Sequence, residues 1–167
     1  MATITLKGST IHTNGELPSL QDHAPDFRLV ATDLGLRTLG DYAGRMVLLN
    51  IFPSVDTPVC ALSTRKFNDH AQTHPQQAFL MISADLPFAH QRFCAQAGLD
   101  NVIPLSMMRD RDFARDYGVL IVDGPLAGLA ARAVVVLGPD GRVRYRELVP
   151  EIGQEPDYGR AIGALGG

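Results

Sequence analysis

Seven residues, Met46-Val47-Leu48-Leu49-Asn50-Ile51-Phe52, form a nearly continuous apolar run. A run of strand length with one polar member reads as a central strand covered on both faces, which demands a layer on each side of a sheet. It leads through Pro53-Ser54-Val55-Asp56 into Thr57-Pro58-Val59-Cys60. Thr is a favoured helix N-cap and Pro suits the first helical position, so a helix is expected from Pro58 to about Gln72, with Cys60 in its first turn. Backbone N–H groups there have no intrahelical partner, and with the positive end of the helix dipole they favour thiolate over thiol. At an ordinary pKa of ~8.5 about 3% of a thiol is ionised at pH 7, so full ionisation gains at most about 30-fold. A faster reaction needs donors beside the sulfur. A free cysteine can also be a small apolar filler, but a filler does not need a Thr-Pro cap.

The rest of the chain sets bounds. Its 167 residues suffice for one well-packed domain and are few for two. A hydrophobic content of 46% with 20% charged residues excludes a disordered chain. A net charge of −3 with scattered Lys and Arg offers no footprint for nucleic acid or an anionic membrane. No apolar run approaches the roughly 20 residues of a membrane helix, and residues 1–8 lack the pattern of a signal peptide, so a cytoplasmic location is expected. Cys60 and Cys94 are the two cysteines. In a reducing cytosol such a pair is more often redox-active or reduced than structural. His12, His23, His70, His74 and His90 do not show zinc-site spacing, so no metal is expected.

Along the chain, Thr3–Leu6 and Ser9–His12 flank Lys7-Gly8 as an N-terminal hairpin, and residues 15–25 read as a connector. Strands are expected over 26–30, 36–39, 46–52, 78–83, 102–105, 129–137 and 142–149. Helices are expected over 58–72, 86–97 (capped by Asp85 and stopped by Gly98), 110–117 and 156–165. The run Arg109-Asp110-Arg111-Asp112 reads as a solvated helix start. This order predicts an α/β fold, a central mixed sheet with helices on both faces plus the N-terminal hairpin, in one domain spanning 1–167. A strand followed by a cysteine-bearing helix, with a closing hairpin and helix, resembles the thioredoxin-like arrangement.

Pro53, Thr57 and Cys60, in the spacing Pro-x-x-x-Thr-x-x-Cys, match the active-site signature of peroxiredoxins. The wider run from Asn50 to Cys60, Ser83-Ala84-Asp85-Leu86-Pro87-Phe88-Ala89, Arg92-Phe93-Cys94, Asp123-Gly124-Pro125-Leu126 and Leu129–Val136 resemble the bacterial thiol peroxidase subfamily, an atypical two-cysteine group. The likeness runs from the hairpin to Tyr158. It implies a thiol peroxidase acting on hydrogen peroxide and organic hydroperoxides, with Cys60 as peroxidatic cysteine and Cys94 as resolving cysteine in an intramolecular Cys60–Cys94 disulfide. It also implies thioredoxin as reductant, a homodimer, and no metal, flavin or haem cofactor.

Thr57 is a helix cap by position, and the resemblance adds a hydroxyl that bonds the thiolate and orients the peroxide. Arg132 is the one charged residue in Leu129–Leu137. By strand alternation it faces with Ala130, Val134 and Val136, and a guanidinium there needs a partner. That partner is a structural carboxylate or water on sequence grounds alone, whereas the resemblance implies Cys60 and the peroxide oxygens. For Pro53 the resemblance implies shielding of the sulfur. Cys94, among Phe93, Ala95 and Ala97, also suits a core filler. Two helices of one domain need not bring their cysteines within the 4.4–6.8 Å Cα separation of a disulfide, so local unwinding is expected between oxidation and resolution. Phe88 reads as pocket lining or core. Two other readings use the same residues. A thiol–disulfide oxidoreductase would place a second cysteine where Ser63 stands. A redox sensor oxidised by peroxide and signalling to a protein partner is excluded by no sequence feature.

Overall fold

The architecture is built outward from the strand β5 (Val47–Ile51), every residue of which is buried. It is described here from a computed structural model covering residues 1–166. β5 pairs in parallel with β6 (Ala78–Ser83) and antiparallel with β8 (Ala133–Leu137). The remaining strands are β3 (Arg28–Ala31), β4 (Leu36–Thr38), β7 (Ile103–Ser106) and β9 (Val143–Leu148), giving a seven-stranded mixed sheet in the order β4-β3-β7-β6-β5-β8-β9. The helix α1 (Pro58–Gln72) connects β5 to β6, and α2 (Pro87–Ala97) connects β6 to β7. Parallel neighbours require such crossovers, because no tight turn can return the chain in the same direction.

The sheet divides the core in two, as the period-2 alternation of its strands requires. Leu48, Phe79, Met81, Val134 and Val136 face α1 and α4 (Tyr158–Leu165), where they meet Cys60, Phe67, Ala161 and Leu165. Phe93, Cys94 and Ala97 of α2 pack against this same cluster. Leu49, Ile51, Leu80, Ile82 and Val135 face the opposite layer, formed by α3 (Asp112–Asp116), the 3₁₀ turn Leu39–Tyr42 and N-terminal segments. Tyr117 is buried there and donates its hydroxyl to the Pro25 carbonyl at 2.7 Å.

The N-terminal hairpin forms as expected from β1 (Thr3–Leu6) and β2 (Ser9–His12). Its turn needs positive φ at both central residues, supplied by Lys7 at 50° and Gly8 at 82°. Backbone hydrogen bonds from Thr5 to Pro150 and from Ile152 to Thr5 tie the hairpin to the segment after β9.

Some expectations change. The strand placed over Leu129–Leu137 begins only at Ala133, because Ala131 donates instead to the Val119 carbonyl. The charged helix starts at Asp112 rather than Asp110, and the run before it is not wholly solvated, since Arg111 donates to the carbonyls of Met107 and Gly128. Asp85 does not cap α2; Leu86 holds the N-cap position, and the carboxylate turns toward the loop after β5. Phe88 is not part of the core, being 62% exposed.

Candidate active site

The loop 52–57 carries the chain from the end of β5 to α1. It is held by Asp85, whose Oδ1 accepts the Ser54 hydroxyl at 2.8 Å and whose Oδ2 accepts the Val55 N–H at 2.8 Å. Pro53 and Val55 are buried within this loop. Thr57 stands at the N-cap with extended backbone and Pro58 follows it, as the sequence requires. Its hydroxyl does not cap the helix, however. It lies 2.6 Å from Cys60 Sγ and 2.9 Å from the Ser54 carbonyl. A hydroxyl has one proton, so these two acceptors compete for it. An anionic sulfur draws that proton more strongly than a neutral carbonyl.

Arg132 supplies the second donor. The guanidinium is buried, with Nη1 3.1 Å from Cys60 Sγ and Nε donating to the Ile152 carbonyl at 2.8 Å. The planar fork reaches both acceptors at once, which a lysine ammonium could not do from the same stem. The side chain leaves the sheet on the face of Val134 and Val136, as alternation requires, but Ala130, expected to share that face, packs in the opposite layer. Alternation fails there because residues 130–132 precede β8 and pair irregularly. Cys60 itself has no exposed surface.

The structure thus joins Thr57, Cys60 and Arg132 directly and places Pro53 in the loop just before them. Cys94 sits on α2, half-buried against the cluster that contains Cys60, and both cysteines are free. Burial, with a smaller contribution from Asp100, pushes the Cys94 thiol up to about 11. Cys94 therefore stays protonated at neutral pH. Two partners of the site escaped the sequence reading. The Ile152 carbonyl that anchors Arg132 is a backbone group with no residue signature. Asp85, expected as a cap and otherwise only one member of the Ser83–Ala89 run, anchors the loop.

Residues 20–162 match the Redoxin family, and the chain belongs to that family. Over 166 residues it is 55% identical to the thiol peroxidase of Mycobacterium tuberculosis, covering 99% of each chain. The fold agrees with two solved structures. A peroxiredoxin-like protein from Aquifex aeolicus superposes with a TM-score of 0.93 at 37% identity, over 99% of this chain and 96% of that one. A thiol peroxidase from Chromobacterium violaceum gives 0.90 at 25% identity, over 98% and 95%. The chain is therefore placed among the thiol peroxidases of the peroxiredoxins, and its sheet and helices are thioredoxin-like.

Proposed function

We propose that this protein reduces hydrogen peroxide and organic hydroperoxides with Cys60 as the attacking nucleophile. The observation that carries the reading is the convergence of the Thr57 hydroxyl and the Arg132 guanidinium on Sγ at the start of α1. In the first step the thiolate attacks the terminal peroxide oxygen. The S–O bond forms as the O–O bond breaks, and the leaving alkoxide or hydroxide takes up a proton. Cys60 becomes a sulfenic acid, the first rung of thiol oxidation. Negative charge moves from sulfur to the leaving oxygen, so donors already aimed at the sulfur follow it with little reorganisation. The buried ring of Pro53 keeps water from the reacting pair.

Cys94 is the resolving cysteine in this reading. Its sulfur attacks Sγ of the sulfenic acid, the S–O bond breaks, water leaves, and an intramolecular disulfide forms. Opening α2 serves this step twice: it allows the approach and returns the Cys94 thiol from about 11 toward its ordinary value of 9.0. That raises the thiolate fraction about 100-fold at neutral pH. A dithiol protein of the thioredoxin type then reduces the disulfide. We further assign a homodimer, consistent with the exposed Leu86 and Phe88 at the start of α2, and a cytoplasmic location. Among the described residues no helix is long and apolar enough to cross a membrane.

One equivalent of hydrogen peroxide, a quench within a second, alkylation and peptide mapping test the cycle. The expected product is a chain of monomer mass with a Cys60–Cys94 linked peptide. Oxidised Cys60 beside free Cys94 removes the resolving role, and two unreacted thiols remove the peroxidase reading. Sustained turnover with thioredoxin separates a peroxidase from a sensor that reacts once.

A further inference from the structure

Between the loop that leads into Cys60 and the helix that holds Cys94 lies a largely buried polar chain that the peroxidase chemistry does not use. Ser83, at the end of β6, donates its hydroxyl to Asp85 Oδ2 at 2.6 Å, and its Oγ lies 2.7 Å from His90 Nε2 on α2. The same Asp85 carboxylate holds Ser54 and the Val55 N–H in the Cys60 loop. Ser83 and His90 have no exposed surface. The single Ser83 proton goes to the carboxylate, the stronger acceptor, so His90 must donate from Nε2. The Nδ1 atom then carries a bare lone pair, buried with no partner. A second proton has nowhere to go while α2 is closed.

We propose that His90 is a positioning residue that latches the Cys94 helix to the Cys60 loop through Ser83 and Asp85, and that the latch releases when His90 takes up a proton. This rests on Cys94 being the resolving cysteine, which the latch would restrain. Burial lowers the imidazole to about 4 from 6.5, outweighing the opposing effect of Asp85, 3.9 Å away. β6 and β7, against which α2 packs, carry no titratable side chain. Arg92 of α2 pairs with Asp56 of the loop at 3.3 Å, and Asp100 acts on Cys94. The closed state binds fewer protons than the open one. The latch is therefore intact above pH 6.5 and weakens as pH falls from 6.5 toward 4, and between pH 7.5 and 5.5 opening rises about tenfold.

Hydrogen exchange of the α2 amides in the reduced full-length protein tests this, with rates corrected for intrinsic pH dependence. Wild-type α2 is expected to open about tenfold more at pH 5.5 than at pH 7.5. His90→Gln, which keeps a donor for Ser83 but cannot titrate, should match wild type at pH 7.5 and lose the pH response. His90→Leu, which has no donor, should open more than wild type at pH 7.5 and show no pH response. A pH-independent wild-type α2, or wild-type protection in His90→Leu, overturns the latch, and the wild-type profile decides even if a variant does not fold. Peptide mapping after one equivalent of peroxide keeps the two readings apart. A pH-dependent α2 without a Cys60–Cys94 peptide supports the latch and removes the resolving role. The linked peptide with a pH-flat α2 overturns the latch alone.

Discussion

Arg132→Met probes the site where its geometry is most exposed to refutation. Methionine keeps much of the buried volume and removes the charge, the Nη1 donation to Sγ at 3.1 Å and the Nε donation to Ile152 at 2.8 Å. A hydrogen bond involving a charged group contributes about 1.5–3 kcal/mol, and each 1.36 kcal/mol is tenfold in rate. If the bond to the reacting atoms is realised mainly in the transition state, Cys60 oxidation slows by about 10- to 150-fold. Stability moves less. The Ile152 carbonyl loses its donor, a cost of about 1–3 kcal/mol, while the expense of burying a cation disappears. The net shift in Tm is a few degrees, since 1 kcal/mol is about 2–4 °C at this size. Stopped-flow competition for peroxide in the presence of a reference peroxidase gives the second-order constant, and circular dichroism confirms folding. Arg132→Lys, which cannot fork to both acceptors, should fall between the two. A folded Arg132→Met protein that oxidises Cys60 within threefold of wild type refutes the role assigned to the guanidinium.

Thr57→Ser keeps the hydroxyl on Sγ and should retain most peroxidase activity, whereas Thr57→Val should lose it; wild-type rates in folded Thr57→Val would sink the assignment. In the reduced protein at pH 8, Cys94 should be alkylated by iodoacetamide about 100-fold more slowly than an ordinary thiol, because burial holds it protonated up to about 11. Peptide-resolved labelling at ordinary thiol rates would contradict that burial. Gly118 ends α3 with φ at 69°, and a Cβ there would collide with the backbone of Glu16. Gly118→Ala should cost at least about 2–3 kcal/mol, or about 4–12 °C in Tm by calorimetry, and an unchanged Tm would show that the close approach is absent.

Much of this fold was legible because its signals are local. The apolar run of β5, the Lys7-Gly8 turn and the Thr57-Pro58 helix start each depend on neighbouring residues, and each appears where expected. Gly98 likewise stops α2 in the left-handed conformation at φ 67°. The failures occur where a side chain had a local role available and a distant partner competed for it. Asp85 could cap α2 but binds the 54–55 loop. Alternation carried Arg132 to the correct face yet misplaced Ala130, because pairing with Val119 and Leu120 draws residues 130–131 out of the β8 register.

The sequence by itself determined the strand–loop–helix unit that presents Cys60, because capping, proline geometry and hydrophobic period act over a few residues. It also supplied the identity of each candidate side chain. Only the tertiary structure decided what those side chains touch. Arg132 lies 72 positions from Cys60, and its orientation depends on a carbonyl 20 positions further on. The His90–Ser83–Asp85 chain likewise exists only once β6, α2 and the Cys60 loop are packed together. Burial then gives these contacts their strength, since excluding water leaves each donor and acceptor only the partners that packing provides.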